Sequence, residues 1–377
     1  MGKVRQSRLL AGRLIFVVVL MTMGCVFVSS SKGTATASST AVQPTAPANN
    51  AVVSGPLAGC PTIPGTTTPV GAACFPPSLR PSLNNPQDPV AYGADKTGVN
   101  DSAAAINAAL AAGDVYFQTP GTYFVSLTGN NVRTASIVPP AGRTIECVPG
   151  VSLKETATNY AACGGDACGI LSLLNPGNTV VGCDFQGGNS APGSIVESQT
   201  EGPDLIDVSS NNETIEGNTF ENTWSNSAVQ VNSNYTGIPP SNFLIQYNTF
   251  THNPGYAINE AATVGGTIQY NISHDANISP EYDACTNTYP RVTQNVITQY
   301  NELDVTTATA YSGWSFFIGG GTYPNGCDYS TNIVRNNYCT SEISQPAWLW
   351  TTSSGYTQFP AHYSNNIVGP NCALRTW

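Results

Sequence analysis

Charge is scarce in this chain: only 10% of its 377 residues are Asp, Glu, Lys or Arg. That argues against a helical bundle held by surface ion pairs. Basic residues are scarcest, and four of the 13, Lys3, Arg5, Arg8 and Arg13, crowd the N-terminus. Beyond them 9 basic residues face 23 acidic ones, a balance that repels phosphate backbones and excludes nucleic acid as a partner. No nucleophile elbow, phosphate loop or dinucleotide glycine pattern occurs, and Gly319-Gly320-Gly321 lacks the strand and helix that would make it one. Apolar residues still make up 41%, with abundant Asn, Thr, Ser and Gly, a composition suited to long β structure with many tight turns.

The one long uncharged apolar run, Leu14 to Val28, follows the N-terminal basic residues and reads as a secretory signal. It falls short of the roughly 20 residues of a membrane span. Two processing routes are open: cleavage near Ala35-Thr36-Ala37, or a lipoprotein-like Thr22-Met23-Gly24-Cys25, in which lipidated Cys25 would tether the chain to a membrane. Apart from Cys25, ten of the 11 cysteines remain, an even set that in an exported chain implies up to five disulfides. Cys163 and Cys168, the one close pair, have no histidine nearby, so zinc is not expected. The organisation expected is a signal at 1–28, a Ser/Thr/Pro-rich tether with a Cys60–Cys74 disulfide loop at 29–85, and one domain at 86–377.

That domain opens with Val90-Ala91-Tyr92-Gly93-Ala94-Asp95, Thr97-Gly98-Val99-Asn100-Asp101-Ser102 and Ala105-Ile106-Asn107-Ala108-Ala109-Leu110. This reads as a strand, a glycine turn and a helix capped by Asp101 or Ser102 and ended by a left-handed Gly113. Val115-Tyr116-Phe117, Pro120-Gly121 and Tyr123-Phe124-Val125 then give strand, turn and strand. The order of residues 90–123 resembles the opening of the pectate lyase-like, or pectin lyase-fold, superfamily. The resemblance implies an all-β, right-handed parallel β-helix with a short N-terminal capping helix, and a carbohydrate-directed activity, but carries over no catalytic residue.

Imperfect repeats agree. Ile, two residues, Asn, one residue and an aromatic recur at Ile215–Phe220, Ile245–Phe250 and Ile333–Tyr338. Val180, Cys183 and Phe185 form a variant; Ile268 with Asn271 and Ile297 with Asn301 are degraded copies. One coil of three short strands fits the spacing, with Ile and aromatic residues inside and Asn at turns, tolerating left-handed φ and bonding to the next coil.

The strand after each aromatic carries the candidate site. Period-two alternation puts Asp207, Gln230 and Asn259 in an outward polar row, with Glu260 inward. Trp348 and Trp350 share a face on which sugars could stack. Glycoside hydrolysis needs two carboxyl groups. Asp204 and Asp207 resemble the Asp-x-Ile-Asp stretch of polygalacturonases, but the paired Asp-Asp, Gly-His-Gly and Arg-Ile-Lys of that family are missing; Glu260, Asp275, Glu281 or Asp283 would have to supply the second carboxyl. Uronate lyase chemistry needs a base and often Ca²⁺, for which Arg291 with Asp275, Glu281 and Asp283 is the best set. His274 would add a substrate contact beside Asp275. The leading expectation is a secreted or cell-surface, monomeric enzyme, hydrolase or lyase, acting on a pectin-like or other cell-wall polysaccharide, with no cofactor for a hydrolase and Ca²⁺ for a lyase. A uronate epimerase would share the lyase's first step, and the rival is a non-catalytic glycan-binding β-helix.

Overall fold

The computed structural model describes residues 70–72, 75, 79–126, 137–155, 169–188, 204–223, 227–232, 238–253, 256–281, 293–305, 316–318, 331–341, 347–352 and 362–376, with Thr62 and two two-residue strands between 285 and 290. From Ser279 onward the strands are partly described by backbone alone.

Among the described residues three parallel sheets build the domain. The first has nine strands, from Val115–Phe117 to His362–Ser364; the second nine, from Gly121–Phe124 to Ile367–Val368; the third eight, from Gly169–Leu173 to Cys372–Thr376. The chain visits the sheets in turn, so each strand bonds to strands one coil before and after it, as in a β-helix. Inward positions stack in columns: Ile145, Val180, Ile215, Ile245 and Ile268 are register partners in the first sheet. Phe185, Phe220 and Phe250 stack inside the second at 5.2 and 4.9 Å between ring centres.

Helix α1, Ala103–Ala112, packs against this core through Ile106, Ala109 and Leu110. Asp101 accepts from the N–H of Ala103, as a cap should. Gly113 is extended at φ −177°, not left-handed; a Cβ there would meet the carbonyl oxygen of Asn85. Close approach, not backbone handedness, requires this glycine.

Asparagines form the turn ladder at the corner between the first two sheets. Asn218, Asn248, Asn271, Asn301, Asn337 and Asn366 are linked so that each Nδ2 from Asn218 to Asn337 donates to the Oδ1 of the following asparagine at 2.9–3.1 Å. That same oxygen accepts the backbone N–H of the preceding asparagine. The left-handed residue is the one before each asparagine: Gly217, Tyr247, Tyr270, Tyr300, Asn336 and Asn365. The repeat read at Ile333–Asn336 is thus one residue early, since Thr298 and Val334 continue the inward column and Asn337 the ladder. A one-residue shift moves every side chain to the other face, and Ile297 and Ile333 are only partly buried.

Two of the expected disulfides lie among the described residues, Cys147–Cys183 and Cys339–Cys372. Cys183 occupies the first place of the asparagine ladder, its N–H bonded to Asn218 Oδ1 at 2.9 Å.

Composition places residues 29–85 in a tether, yet the described residues among 70–85 contact several coils. Val70 is buried beside Ile272 and Tyr270, Gly71 donates to the Tyr247 carbonyl at 3.0 Å, Phe75 packs on Tyr247 with ring centres 5.9 Å apart, and Arg80 pairs with Glu146 at 3.2 Å. Phe75 is 3% exposed. Phe75→Ala is therefore expected to cost about 3 kcal/mol in urea unfolding; no loss would mean that the segment behaves as the tether its composition suggests.

Candidate functional site

The third sheet brings the expected row together. Ser172 pairs with Asp207, Asp207 with Gln230, Gln230 with Asn259 and Asn259 with Ser279, one residue per coil. Neighbouring coils lie about 4.8 Å apart. Ile206, Val208, Val229, Val231 and Ile258 alternate with the row and join the core. The row is not a freely solvated face: Asp207, Gln230 and Asn259 are 5%, 7% and 6% exposed. Asp207 accepts from the hydroxyls of Ser172 at 3.4 Å and Ser209 at 3.2 Å. Gln230 Oε1 accepts from Ser227 at 2.9 Å, while the buried Asn259 Oδ1 has no partner.

Two further candidate carboxyls stand off the row, Glu260 on the inward side that alternation gives it and Asp204 in a tie between coils. Glu260 is in register with Val231, fully buried on the inward side, and bonded by the Thr263 hydroxyl. Burial pushes it up to about 8 against the opposing hydrogen bonds of Thr263 and Thr293. A protonated interior acid cannot reach a glycan on the outer face, so its catalytic role is set aside. Asp204, 1% exposed, accepts the backbone N–H of Ser227 at 3.2 Å, tying one coil to the next.

His274 does not join Asp275. Asp275 turns the corner at φ 57°, and His274 Nδ1 lies 3.3 Å from Asp304 Oδ2 on the following coil, its register partner. Asp304 stands two residues after Glu302, on the outer side of the second sheet. Burial first, then the Asp304 charge, raises Glu302 to about 7. This trio escaped the sequence reading; its signal is Glu302-Leu303-Asp304 in a strand, whose alternation puts two carboxyls on one face.

Trp348 and Trp350 fall two apart in the strand Ala347–Thr352 of the third sheet. Ile278, Ile318, Leu349 and Leu374 form one register column. Trp350 follows Leu349 as Ser279 follows Ile278, which puts it at the register position that continues the polar row. In the strand Asn277–Glu281 the residues from Ser279 on are described by backbone only; Asp283 and Arg291 lie outside the described residues. Among the described residues no three His, Cys, Asp or Glu side chains gather as a metal site.

No family profile and no curated protein matches the sequence. Solved structures do. A surface adhesin of Streptococcus pneumoniae, PfbA, superposes with TM-score 0.50 at 13% identity, over 77% of this chain and 82% of its own. The A-module of the Azotobacter vinelandii mannuronan C-5 epimerase AlgE6 gives 0.46 at 15% over 76% and 79%. An exopolygalacturonase of Thermotoga maritima gives 0.38 at 9% over 79% and 92%. Such identities bear on fold alone. With the three parallel sheets, the likeness to the adhesin establishes a right-handed parallel β-helix fold.

Proposed function

We propose that this is an exported protein that holds a polysaccharide against the outer face of its third sheet, along Ser172, Asp207, Gln230 and Asn259. The carrying observation is the register: polar side chains repeat once per coil at a nearly buried face, the arrangement expected of a groove for a chain of repeating units. Formed disulfides support a place outside the cytoplasm, as does the pneumococcal adhesin's surface role. Carbohydrate-processing β-helices among the similar structures suggest which ligands to try first.

The test is retention on immobilised pectin, alginate, arabinogalactan and xylan. Asp207→Ala should weaken retention of the bound glycan by about tenfold or more, the size of a lost hydrogen bond to a charged group. Equal retention by wild type and variant would move the site elsewhere.

A second reading, hydrolysis, is favoured by Glu302 and Asp304. Alternate strand positions lie about 7 Å apart, within the separation of inverting glycosidases. Glu302, raised to about 7, suits the acid; Asp304, paired with His274, suits the base. Release of reducing ends that Glu302→Gln abolishes would support it, and no release from the whole panel would remove it. The lyase reading, Arg291 as base with Ca²⁺ on Asp275, Glu281 and Asp283, predicts unsaturated ends that require Ca²⁺.

A further inference from the structure

We infer that the outer face of the first sheet is an interface between two copies of this chain, packed with their helix axes antiparallel about a twofold axis through the coil of Gln269. The inference is independent of the glycan reading.

Two outward rows carry it, across five consecutive strands of that sheet. Glu216, Gln246, Gln269, Gln299 and Arg335 are register partners in one row; Thr214, Leu244, Thr267, Ile297 and Ile333 are partners in the other. All are half-buried, so Leu244, Ile297 and Ile333 keep aliphatic surface in water on a kind of sheet that ordinarily has both faces covered.

The order within the rows identifies the occupant. Reversing the first row about Gln269 sets Glu216 against Arg335 and Gln246 against Gln299. Reversing the second about Thr267 sets Leu244 against Ile297 and the Thr214 methyl against Ile333. Acid meets base, amide meets amide and aliphatic meets aliphatic, the self-complementarity that a twofold contact demands. A twofold axis along the strands performs this reversal and lays each row on its own counterpart. A second copy also has the same spacing of about 4.8 Å per coil, so every rung finds its mate, and glutamine ladders from facing sheets can pack in this way.

The end charges are unspent. Glu216 accepts from Gln246 through Oε2, and Arg335 donates to Gln299 through Nε. Among the described residues nothing bonds Glu216 Oε1 or the two terminal guanidinium nitrogens of Arg335. The two groups stand four coils apart, about 19 Å, too far to pair within one chain. Glu146, the next acid along the row, is already paired with Arg80 at 3.2 Å.

The experiment reads association of the full chain by sedimentation over a concentration series, with thermal unfolding alongside. Wild type is expected to pass from monomer to dimer and to no larger species, because a twofold contact closes on itself. Arg335→Glu sets carboxylate against carboxylate at both ends of the interface and should weaken the dimer about tenfold or more, as should Glu216→Lys. The double variant faces opposite charges again and should return to within about threefold of wild type. Distance excludes rescue inside a single chain, so recovery reports contact between copies. A wild type that stays monomeric at every concentration overturns the inference, as does a dimer that the single reversals leave intact or the double variant fails to restore. Should a single reversal lower the unfolding midpoint, Gln269→Lys takes its place: it sets two ammonium groups face to face on the axis, and an undiminished dimer would overturn the inference.

Discussion

Asn248→Ala is expected to remove about 3–6 kcal/mol of stability, a large part of what holds an ordinary domain together. The Asn248 Oδ1 atom accepts both the backbone N–H and the Nδ2 of Asn218, at 2.9 and 3.1 Å. Its Nδ2 donates to the Ile215 carbonyl and to Asn271 Oδ1, each at 3.0 Å. Alanine leaves two donors of Asn218, a residue fully withdrawn from solvent, without partners, and removes the Nδ2 bonds to Ile215 and Asn271. Two such orphans at about 1–3 kcal/mol each and two lost bonds at about 0.5–1.5 kcal/mol each amount to about 3–9 kcal/mol, and partial relaxation of the coil brings the cost to the lower half of that.

The natural control lies one face away. Glu216, Gln246, Gln269, Gln299 and Arg335 run along the outside of the first sheet, joined at 2.9 Å from one coil to the next. This outer ladder is only partly buried, so water can replace a lost partner. Gln246→Ala should cost about 1 kcal/mol or less. Urea unfolding of both variants checks the pair; equal losses would mean that burial is not what makes the asparagine ladder strong.

Stability should fall as pH rises from 5 to 8. Burial pushes Glu155 and Glu260 up to about 8 and Glu213 up to about 7, whereas an unfolded chain ionises its glutamates near 4.5. Between those values the folded protein binds more protons than the unfolded one, so each unit of pH gained costs stability, and below about 4.5 the effect is fully in the fold's favour. One proton of difference is worth about 1.4 kcal/mol per pH unit, and two fully buried acids give several kcal/mol across the window. Glu260→Gln, which keeps a neutral group beside Thr263, should flatten the slope by about one proton's worth. A midpoint that climbs between pH 5 and pH 8 would contradict the interior placement of these acids.

Much of this was legible from residue order. The Ile-x-x-Asn-x-Phe units at 215–220 and 245–250 announced the inner columns and the asparagine ladder, since an apolar side chain that recurs once per coil can only be stacking on its own kind. The Asp207, Gln230 and Asn259 row followed from alternation within three separate strands, and their pairing agrees. The coil around residue 333 misled because Asn336 and Asn337 stand side by side and Thr298 replaces the expected aliphatic, so two registers fit the letters and only the neighbouring coils choose between them. Tyr247, Tyr270 and Tyr300, ring on ring at 5.4 and 5.0 Å, were invisible for a different reason: bulky residues rarely take left-handed φ, and only stacking against the next coil compensates for it.

Alternation and repeat length are properties of neighbours along the chain, and they sufficed for the inward columns and the outward row; the β-helix and its capping helix came from the resemblance of residues 90–123, with which the repeats agree. Pairing between residues some 30 positions apart is not such a property. That His274 meets Asp304 and not Asp275, that Phe75 and Arg80 lie on the coils, and that the row is withdrawn from solvent were decided by how one coil sits on the next. Loop lengths between strands vary from coil to coil, so the register that brings such groups together exists only once the sheets have formed.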